Sequence, residues 1–250
     1  MRKDITMRYL AILFLTVFIL SPATAWCGKL SLEHKAIETI ELPGPILDSE
    51  FSIEKVLQER RSVRQYTDDP VTMEEVSQLL WAAYGITYTA EGMPDFLRGG
   101  LKTAPSAGAR YPLEIYLVAG KVTGLLPGIY WYVPEGHVLH RLADGDVRTD
   151  LQAACLDQKF AGEAPISIVW SAVYERCTEK YEDRGRDRYV CMDLGHSAQN
   201  VYLQCGSLGL GTCAIGAFTD DSLKKLIGMT GEEVPLYVMP VGRLPVEQKD

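Results

Sequence analysis

Apolar residues recur at helical spacing in the first third of the chain. Four of them between positions 76 and 83 follow an i, i+3, i+4, i+7 pattern, which predicts an amphipathic helix packed on a core. Thr72 and Glu75 have the spacing of a capping box at its start, and Gly85 is typical of its end. A shorter helix is predicted at Ile53–Glu59, with Ser52 as its N-cap.

Further along, the spacing changes to runs that are typical of strands. Strands are predicted at 113–119, 129–133, 138–142 and 235–241, with a hairpin turn at Pro134-Glu135-Gly136. Helices are predicted at 151–160, 189–208 and 219–226, the last one ended by Gly228. Helices that alternate with strands, some of them antiparallel, indicate a single α+β sandwich domain.

The first 25 residues have the pattern of a signal peptide. Arg2, Lys3 and Arg8 flank an apolar run at 9–20, and a small-residue cleavage site follows at 23–25. The run is shorter than the roughly 20 residues that span a bilayer, so no stable membrane span is expected. We expect export to the periplasm or cell envelope; a retained anchor and lipidation at Cys27 are the alternatives. Residues 26–50, with Pro43 and little periodicity, are predicted to be a linker or extended arm, and residues 51–250 the domain.

The composition of the chain argues against several classes of function. A hydrophobic content of 47% in 250 residues is enough for a well-filled core. The net charge of -8, without a basic stripe, argues against nucleic acid as a partner. The six cysteines show no CxxC pair or Cys/His metal spacing, so no metal site is predicted. Cys205 and Cys213 lie in apolar segments, where buried thiols are expected.

Four segments could carry chemistry, although each has an ordinary explanation when taken alone. Residues 60–64 hold three arginines, which suit a phosphate but are also typical of a solvated helix end. Residues 103–109 are small enough for close approach to a flat ligand, or they are a turn. Residues 206–218 contain a G-x-G, but it follows a helix and precedes a strand, the reverse of a dinucleotide-binding site. Gly242-Arg243 ends the last predicted strand.

Taken together and in this order, the segments resemble the nitroreductase family, most closely its branch of thiazoline-oxidising dehydrogenases. The resemblance covers about residues 41 to 244. Its marks are ERRSVRQYTDDPVT, LLWAAYGIT, TAPSAGARYPLEIYLV, DLGHSAQNVYLQCGSLGLGTCAIGAF and PVGR. It implies a three-layer α+β sandwich with a mainly antiparallel sheet flanked by helices, bound FMN and a homodimer.

The resemblance also implies a set of cofactor-binding residues. The flavin phosphate and pyrimidine would be held by Arg60, Arg61, Ser62 and Arg64. The loop that reaches the flavin of the other subunit would comprise Pro105, Ser106, Ala107 and Gly108. One face of the flavin ring would lie on Ala214, Ile215 and Gly216, with Arg243 on the phosphate. Tyr174 and Arg188 would border the substrate entrance, and Ala109 stands where many relatives carry asparagine.

The expected activity is ping-pong electron or hydride transfer, in which FMN carries the chemistry and no side chain is the catalyst. The substrate would be a small conjugated molecule such as a nitro compound, quinone, enone or thiazoline, with NAD(P)H as a possible donor. A flavin carrier of the same fold is the alternative. A hydrolase using Cys191 or Cys205 lacks any nucleophile motif. Residues 175–188 are predicted to be a solvated loop, and His196 with Asp193 a structural pair rather than a catalytic one.

Overall fold

A seven-stranded sheet forms the middle of the computed structural model, which describes residue 32 and residues 34–245. The order is β1-β8-β7-β5-β9-β11-β10, and every pairing is antiparallel. The strands of this sheet are β1 (Glu38–Glu41), β5 (Leu113–Ala119), β7 (Gly128–Val133), β8 (Val138–Asp144), β9 (Ile166–Val173), β10 (Leu210–Thr212) and β11 (Glu233–Arg243). Two short pairs complete the strands: β2 (Val71–Thr72) with β6 (Val122–Thr123), and β3 (Ile86–Tyr88) with β4 (Leu101–Lys102).

Helices cover both faces of the sheet. They are α1 (Ile53–Glu59), α2 (Met73–Tyr84), α3 (Arg148–Ala154), α4 (Lys159–Glu163), α5 (Glu175–Tyr181), α6 (Val190–Ser207) and α7 (Asp220–Ile227). One core packs α2 and α6 against alternate residues of β5, β9 and β11, while the other packs α3, α4 and α7 against the residues between them. The arrangement is the three-layer α+β sandwich with a mainly antiparallel sheet that the sequence predicts.

Local signals in the sequence place most of these elements. Thr72 and Glu75 form both hydrogen bonds of a capping box, and the Ser52 hydroxyl accepts from the Lys55 N–H. Gly228 ends α7 in the left-handed conformation at φ 75°. The three strands predicted before residue 145 are present with boundary shifts of a few residues at most.

Two predictions of secondary structure are wrong. The helix predicted at 151–160 is split into α3 and α4, because Leu156 and Asp157 take positive φ angles of 56° and 58°. Residues 175–188, predicted to be a solvated loop, form α5 and part of a π-helix at Gly185–Tyr189. Arg176 anchors this segment, because its buried guanidinium donates to Glu114 at 2.6 Å.

A buried charge cluster fixes the start of β5. Glu114 accepts hydrogen bonds from Arg176 and from Trp131 Nε1 at 2.9 Å, and it pairs with Arg98 at 2.7 Å. Burial would raise the pKa of Glu114, but the two guanidinium groups hold it below its ordinary value. Because Arg98 also donates to the Tyr111 carbonyl at 3.1 Å, the cluster anchors the loop that precedes the strand.

The predicted arm lies across the domain. It contains the edge strand β1, and its Ile46 main chain bonds with the side-chain amide of Gln78 on α2 at 2.7 and 3.1 Å. His137 Nε2 lies 2.7 Å from the Ser77 hydroxyl and 3.1 Å from the Pro43 carbonyl, while its Nδ1 lies 2.9 Å from the Tyr132 hydroxyl. His137 therefore connects the arm, helix α2 and the β7–β8 hairpin.

The predicted signal peptide and Cys27 lie outside the described residues. Export and lipidation therefore stay predictions from the sequence. Within the part of the chain that the structure describes, no helix is long and apolar enough to cross a membrane. The five cysteines of that part are free thiols, and Cys205 and Cys213 are buried as predicted. No group of side chains suited to a metal occurs among the same residues.

We predict that acid weakens the attachment of the arm through His137. Burial lowers the pKa of His137 below its ordinary value of 6.5, so the unfolded chain binds the proton more readily. The stabilising contribution is complete above that ordinary value and is lost as pH falls through the folded pKa. His137→Gln should therefore show a smaller loss of unfolding free energy than wild type between about pH 7.5 and 5 in urea titrations. Equal losses in the two proteins would contradict this role.

Candidate active site

The three arginines of segment 60–64 lie along one cavity. The segment leaves α1 and runs beside β10, where Val63 N–H donates to the Thr212 carbonyl at 2.9 Å. The cavity has a volume of about 1230 Å³ and is lined by this whole segment together with residues of α6 and β10. The volume is sufficient for a nucleotide-sized ligand, since ligand pockets commonly measure about 300–1,000 Å³.

None of these arginines has a carboxylate partner among the described residues. Arg61 donates to two main-chain carbonyls, of Gln58 at 3.0 Å and of Arg60 at 2.8 Å. The Arg60 guanidinium lies over the Tyr202 ring at 5.2 Å, and that of Arg64 over the Phe160 ring at 5.9 Å. These three positive charges outnumber the one acidic residue of the cavity lining, Glu59, which favours an anion as ligand.

Tyr202, which the sequence reasoning missed, joins two of the predicted segments. Its hydroxyl accepts from the Ala214 N–H at 2.8 Å and lies 3.1 Å from the Ser62 hydroxyl. Positions 62 and 202 are 140 residues apart in the chain, so no local pattern connects them. Since the Arg60 guanidinium covers its ring, Tyr202 determines how the arginine segment is placed relative to residues 214–216.

The segment 214–216 has one buried and two accessible members. Ile215 exchanges two hydrogen bonds with Val238, at 2.8 and 3.0 Å, and its side chain lies in the second core. Ala214 is half-buried and Gly216 is exposed. Any contact of this segment with a ligand therefore falls to Ala214 and Gly216, while Ile215 fixes the segment to the sheet.

The serine loop, residues 105–111, lies at a different place in the same chain. None of its residues lines the arginine cavity. Ser106 donates to Asp193 of α6 at 2.5 Å, and the Pro105 carbonyl lies 3.1 Å from His196 Nδ1. On its other side the loop contacts α5, because Arg110 Nε donates to the Arg176 carbonyl at 2.6 Å. Within one chain, the predicted cofactor residues thus form two separate groups.

Arg243 is near the cavity but its side chain turns away from it. Its main chain pairs with Leu210, and its carbonyl accepts from Thr67 N–H at 3.0 Å. Its guanidinium, however, binds both oxygens of Glu75, at 3.0 and 2.9 Å, and the Pro70 carbonyl at 3.1 Å. The structure does not bring this guanidinium together with those of Arg60, Arg61 and Arg64, because the capping-box glutamate of α2 already neutralises it.

The two predicted substrate residues lie beside the π-helix. Tyr174 is half-buried at the start of α5, and the Arg186 guanidinium lies over its ring at 5.1 Å. Burial raises the pKa of the Tyr174 hydroxyl above its ordinary value, so it remains protonated at neutral pH. Arg188 is exposed on the π-helix. Single-turn π-helices are frequent at functional sites.

The cysteines that a hydrolase would need are unsuited to that role. Cys205 is buried, and burial raises the pKa of its thiol well above the ordinary value, which opposes formation of a thiolate nucleophile. Cys191 is exposed on α6, and no histidine contact is described for it. The arrangement instead provides an anion site and aromatic and small-residue surfaces, which suit an oxidoreductase that binds its redox cofactor.

Comparison with known proteins agrees with that class. The profile of the nitroreductase family matches residues 57–243. A nitroreductase homologue of Methanocaldococcus jannaschii is 46% identical over 206 residues, which cover 82% of this chain and 98% of that protein. The chain therefore belongs to the nitroreductase family, a family of oxidoreductases.

Two further proteins place the chain within the family. The crystal structure of a nitroreductase homologue from Ralstonia eutropha superposes with a TM-score of 0.67 at 28% identity, covering 86% of this chain and 95% of that one. The microcin B17-processing protein McbC of Escherichia coli is 26% identical over 144 residues, or 55% of this chain and 53% of McbC. The sequence motifs indicate a resemblance to the family branch that contains McbC, and this comparison confirms it.

We predict that Tyr202→Phe destabilises the junction between the two segments. The variant leaves the N–H of the half-buried Ala214 without its acceptor, and the net contribution of such a hydrogen bond is about 0.5–1.5 kcal/mol. Urea unfolding should show a decrease of that size in the free energy of unfolding. Tyr88→Phe is the matched control, since Tyr88 is exposed and should change the free energy little. A Tyr202→Phe protein as stable as the control would contradict the bridging role.

Proposed function

We propose that this protein is an FMN-dependent oxidoreductase that acts as a homodimer. The observation that carries the proposal is the set of three arginines, none of which forms an ion pair with a carboxylate of the described residues, along a cavity of about 1230 Å³. Family membership supports a flavin as the ligand, and the phosphate of FMN supplies the anion that the arginines lack.

The residues present fit this cofactor. Arg60 and Arg61 would hold the phosphate, since arginine forks bind phosphate oxygens in pairs, and Ser62 would add a hydroxyl. Arg64 would place a positive charge near the pyrimidine end of the ring. Arg243 is left out of the phosphate site, because Glu75 already binds its guanidinium. Bound FMN would supply the electron and hydride chemistry, while the chain orients it and leaves one ring face open.

The separation of the arginine cavity and the serine loop within one chain supports the proposal of a homodimer. If the loop completes a flavin site, it completes the site of a second chain. The arm and α1 offer a surface for that contact: Leu47 is 79% exposed and Ile46 63%, beside a groove of about 750 Å³ between α1, α2 and α6. Exposed apolar patches of this kind mark protein interfaces.

The substrate side of the proposal rests on residues near α5. We propose ping-pong turnover, with NAD(P)H as a possible donor and a small conjugated substrate such as a nitro compound, quinone, enone or thiazoline. Tyr174 and Arg188 would border its entrance, and the protonated Tyr174 hydroxyl could donate a hydrogen bond to an acceptor group. A flavin carrier of the same fold, which would bind FMN without passing electrons to a substrate, is the alternative.

Export is proposed on the pattern of residues 1–25 alone. Basic residues, a short apolar run and a small-residue cleavage site are the parts of a signal peptide. The mature protein would then work in the periplasm or cell envelope and acquire its flavin there.

We predict that Arg60→Ala weakens FMN binding by tenfold or more. A charge-assisted hydrogen bond contributes about 1.5–3 kcal/mol, and each 1.4 kcal/mol is a factor of about ten in affinity. The dissociation constant is measured by quenching of flavin fluorescence. Lys225→Ala, which removes one positive charge from the exposed face of α7, is the control and should bind FMN as wild type does. Equal affinities for the two variants would contradict an arginine-bound phosphate.

We also predict that two variants that each bind FMN weakly restore one strong site in mixed dimers. Arg60→Ala removes the cavity's function and Ser106→Ala that of the loop. In a mixed dimer, one of the two sites would combine the intact cavity of one chain with the intact loop of the other. Co-expression with two different tags, followed by purification on both, should therefore recover about one high-affinity FMN site per dimer. If the mixed dimer binds as weakly as the two homodimers, the sites are not shared between subunits.

A further inference from the structure

The hydroxyl of Ser106 is held by two protein groups at once. It donates to Asp193 Oδ2 at 2.5 Å and accepts from the Tyr111 N–H at 2.9 Å. A serine hydroxyl has one proton and two lone pairs, so the proton is engaged and one lone pair remains. Ser106 therefore presents an acceptor, and not a donor, to anything that approaches the half-buried loop.

Asp193 holds the loop at a second point. Its other oxygen, Oδ1, accepts from the Ala107 N–H at 3.2 Å. Both contacts come from one carboxylate on α6, which continues directly from the π-helix. The side chain is buried, with only 2% of the residue exposed, so it is not a solvated charge that happens to lie near the serine.

The loop needs such support because its backbone is strained. Ala109 and Tyr111 take left-handed conformations at φ 54° and 46°, which non-glycine residues adopt at a cost, and Gly108 lies at φ 60°. Strained backbone persists where surrounding contacts determine it. Asp193 supplies two of these contacts directly or through Ser106, and the Arg98 guanidinium supplies another by donating to the Tyr111 carbonyl at 3.1 Å.

We propose that Asp193 is a positioning residue for the flavin site: it fixes residues 105–111 and turns the Ser106 hydroxyl so that a lone pair faces a hydrogen-bond donor of the bound cofactor. The inference rests on the proposed function, since it takes the ligand of the loop to be the FMN of the partner subunit. Asp193 itself does not contact the ligand; it acts through Ser106 and Ala107.

Protonation of Asp193 should make the affinity for FMN depend on pH. Burial raises the pKa of Asp193, although the bonds from Ser106 and Ala107 and the charge of His196 oppose the shift. Once protonated, the carboxyl keeps fewer acceptor sites for the two donors. The other titratable groups that interact with it are Cys177 of α5, Tyr84 of α2 and His196 of its own helix.

The test measures FMN affinity in four forms of the full chain: wild type, Ser106→Ala, Asp193→Asn and the double variant. The asparagine side chain is the same size as that of aspartate but has one acceptor oxygen for two donors. We expect each single variant to weaken FMN binding by roughly tenfold and the double variant to be no weaker than either, since all three remove the same arrangement. Asp150→Asn, in the exposed first turn of α3, is the control and should bind as wild type.

Two measurements distinguish loss of the positioning role of Asp193 from a general loss of protein stability. The affinity of wild type should fall more steeply than that of Asp193→Asn as pH is lowered. The FMN phosphate, whose second pKa is about 6, also titrates in this range. Because it affects all forms equally, it cancels when the dependence of affinity on pH is compared between two forms. Hydrogen exchange without flavin should show faster exchange at the Ala107 and Tyr111 amides in Asp193→Asn, while the amides of β9 stay protected.

The outcomes distinguish this inference from the proposed function. If wild type binds no FMN, the proposed function fails and the inference fails with it. If wild type binds FMN and Asp193→Asn binds equally well, or if Ser106→Ala and Asp193→Asn weaken binding additively, only the positioning role of Asp193 is overturned. Equal pH slopes in wild type and Asp193→Asn would overturn it as well.

Discussion

The repulsion among three arginines in segment 60–64 is the constraint on which the account of this protein depends. Arginine remains charged at any physiological pH, so these groups cannot be neutralised by losing protons. The fold holds them together nevertheless: α1 delivers them, Val63 binds β10, and the Tyr202 ring lies under Arg60. We propose that an anion from outside the chain completes this arrangement of like charges.

Arginines elsewhere in the described chain differ in whether they pair with a carboxylate. Arg98 and Arg176 share the buried Glu114, and Arg243 binds Glu75. Among the described residues, the arginines without a carboxylate partner fall in two segments, 60–64 and 184–188. The first lines the cavity, and the second lies on the π-helix beside the serine loop and Tyr174. In one chain these two regions are apart, which is why a shared site between two copies gives the simplest account of both.

Much of the fold could be predicted from the sequence, because its signals are local. The capping box of α2 and Gly228 at the end of α7 each involve residues within a few positions of one another. The break between α3 and α4 was missed, since nothing in the run 151–160 marks the left-handed pair Leu156 and Asp157. Membership of the nitroreductase family followed from the order of several weak motifs, and comparison confirms it.

The site could be predicted only as a set of segments. The motif that contains Arg243 does not reveal that Glu75, 168 residues earlier, takes its guanidinium, because the choice depends on the register of β10 and β11. Tyr202 and Asp193 were missed as site residues for the same reason. Each acts on a segment 86 residues away or more, from one helix whose sequence alone indicates burial rather than contact with a ligand.

The central claim is that a flavin held at these arginines exchanges electrons with a small acceptor. Its most direct measurement is stopped-flow reoxidation of the FMN-loaded protein, reduced with dithionite and mixed anaerobically with nitroaromatics, quinones or enones. The account predicts that the oxidised flavin absorbance returns with a rate that rises with acceptor concentration. A protein that takes up no FMN, or whose reduced flavin is not reoxidised by any of these acceptors, would contradict it.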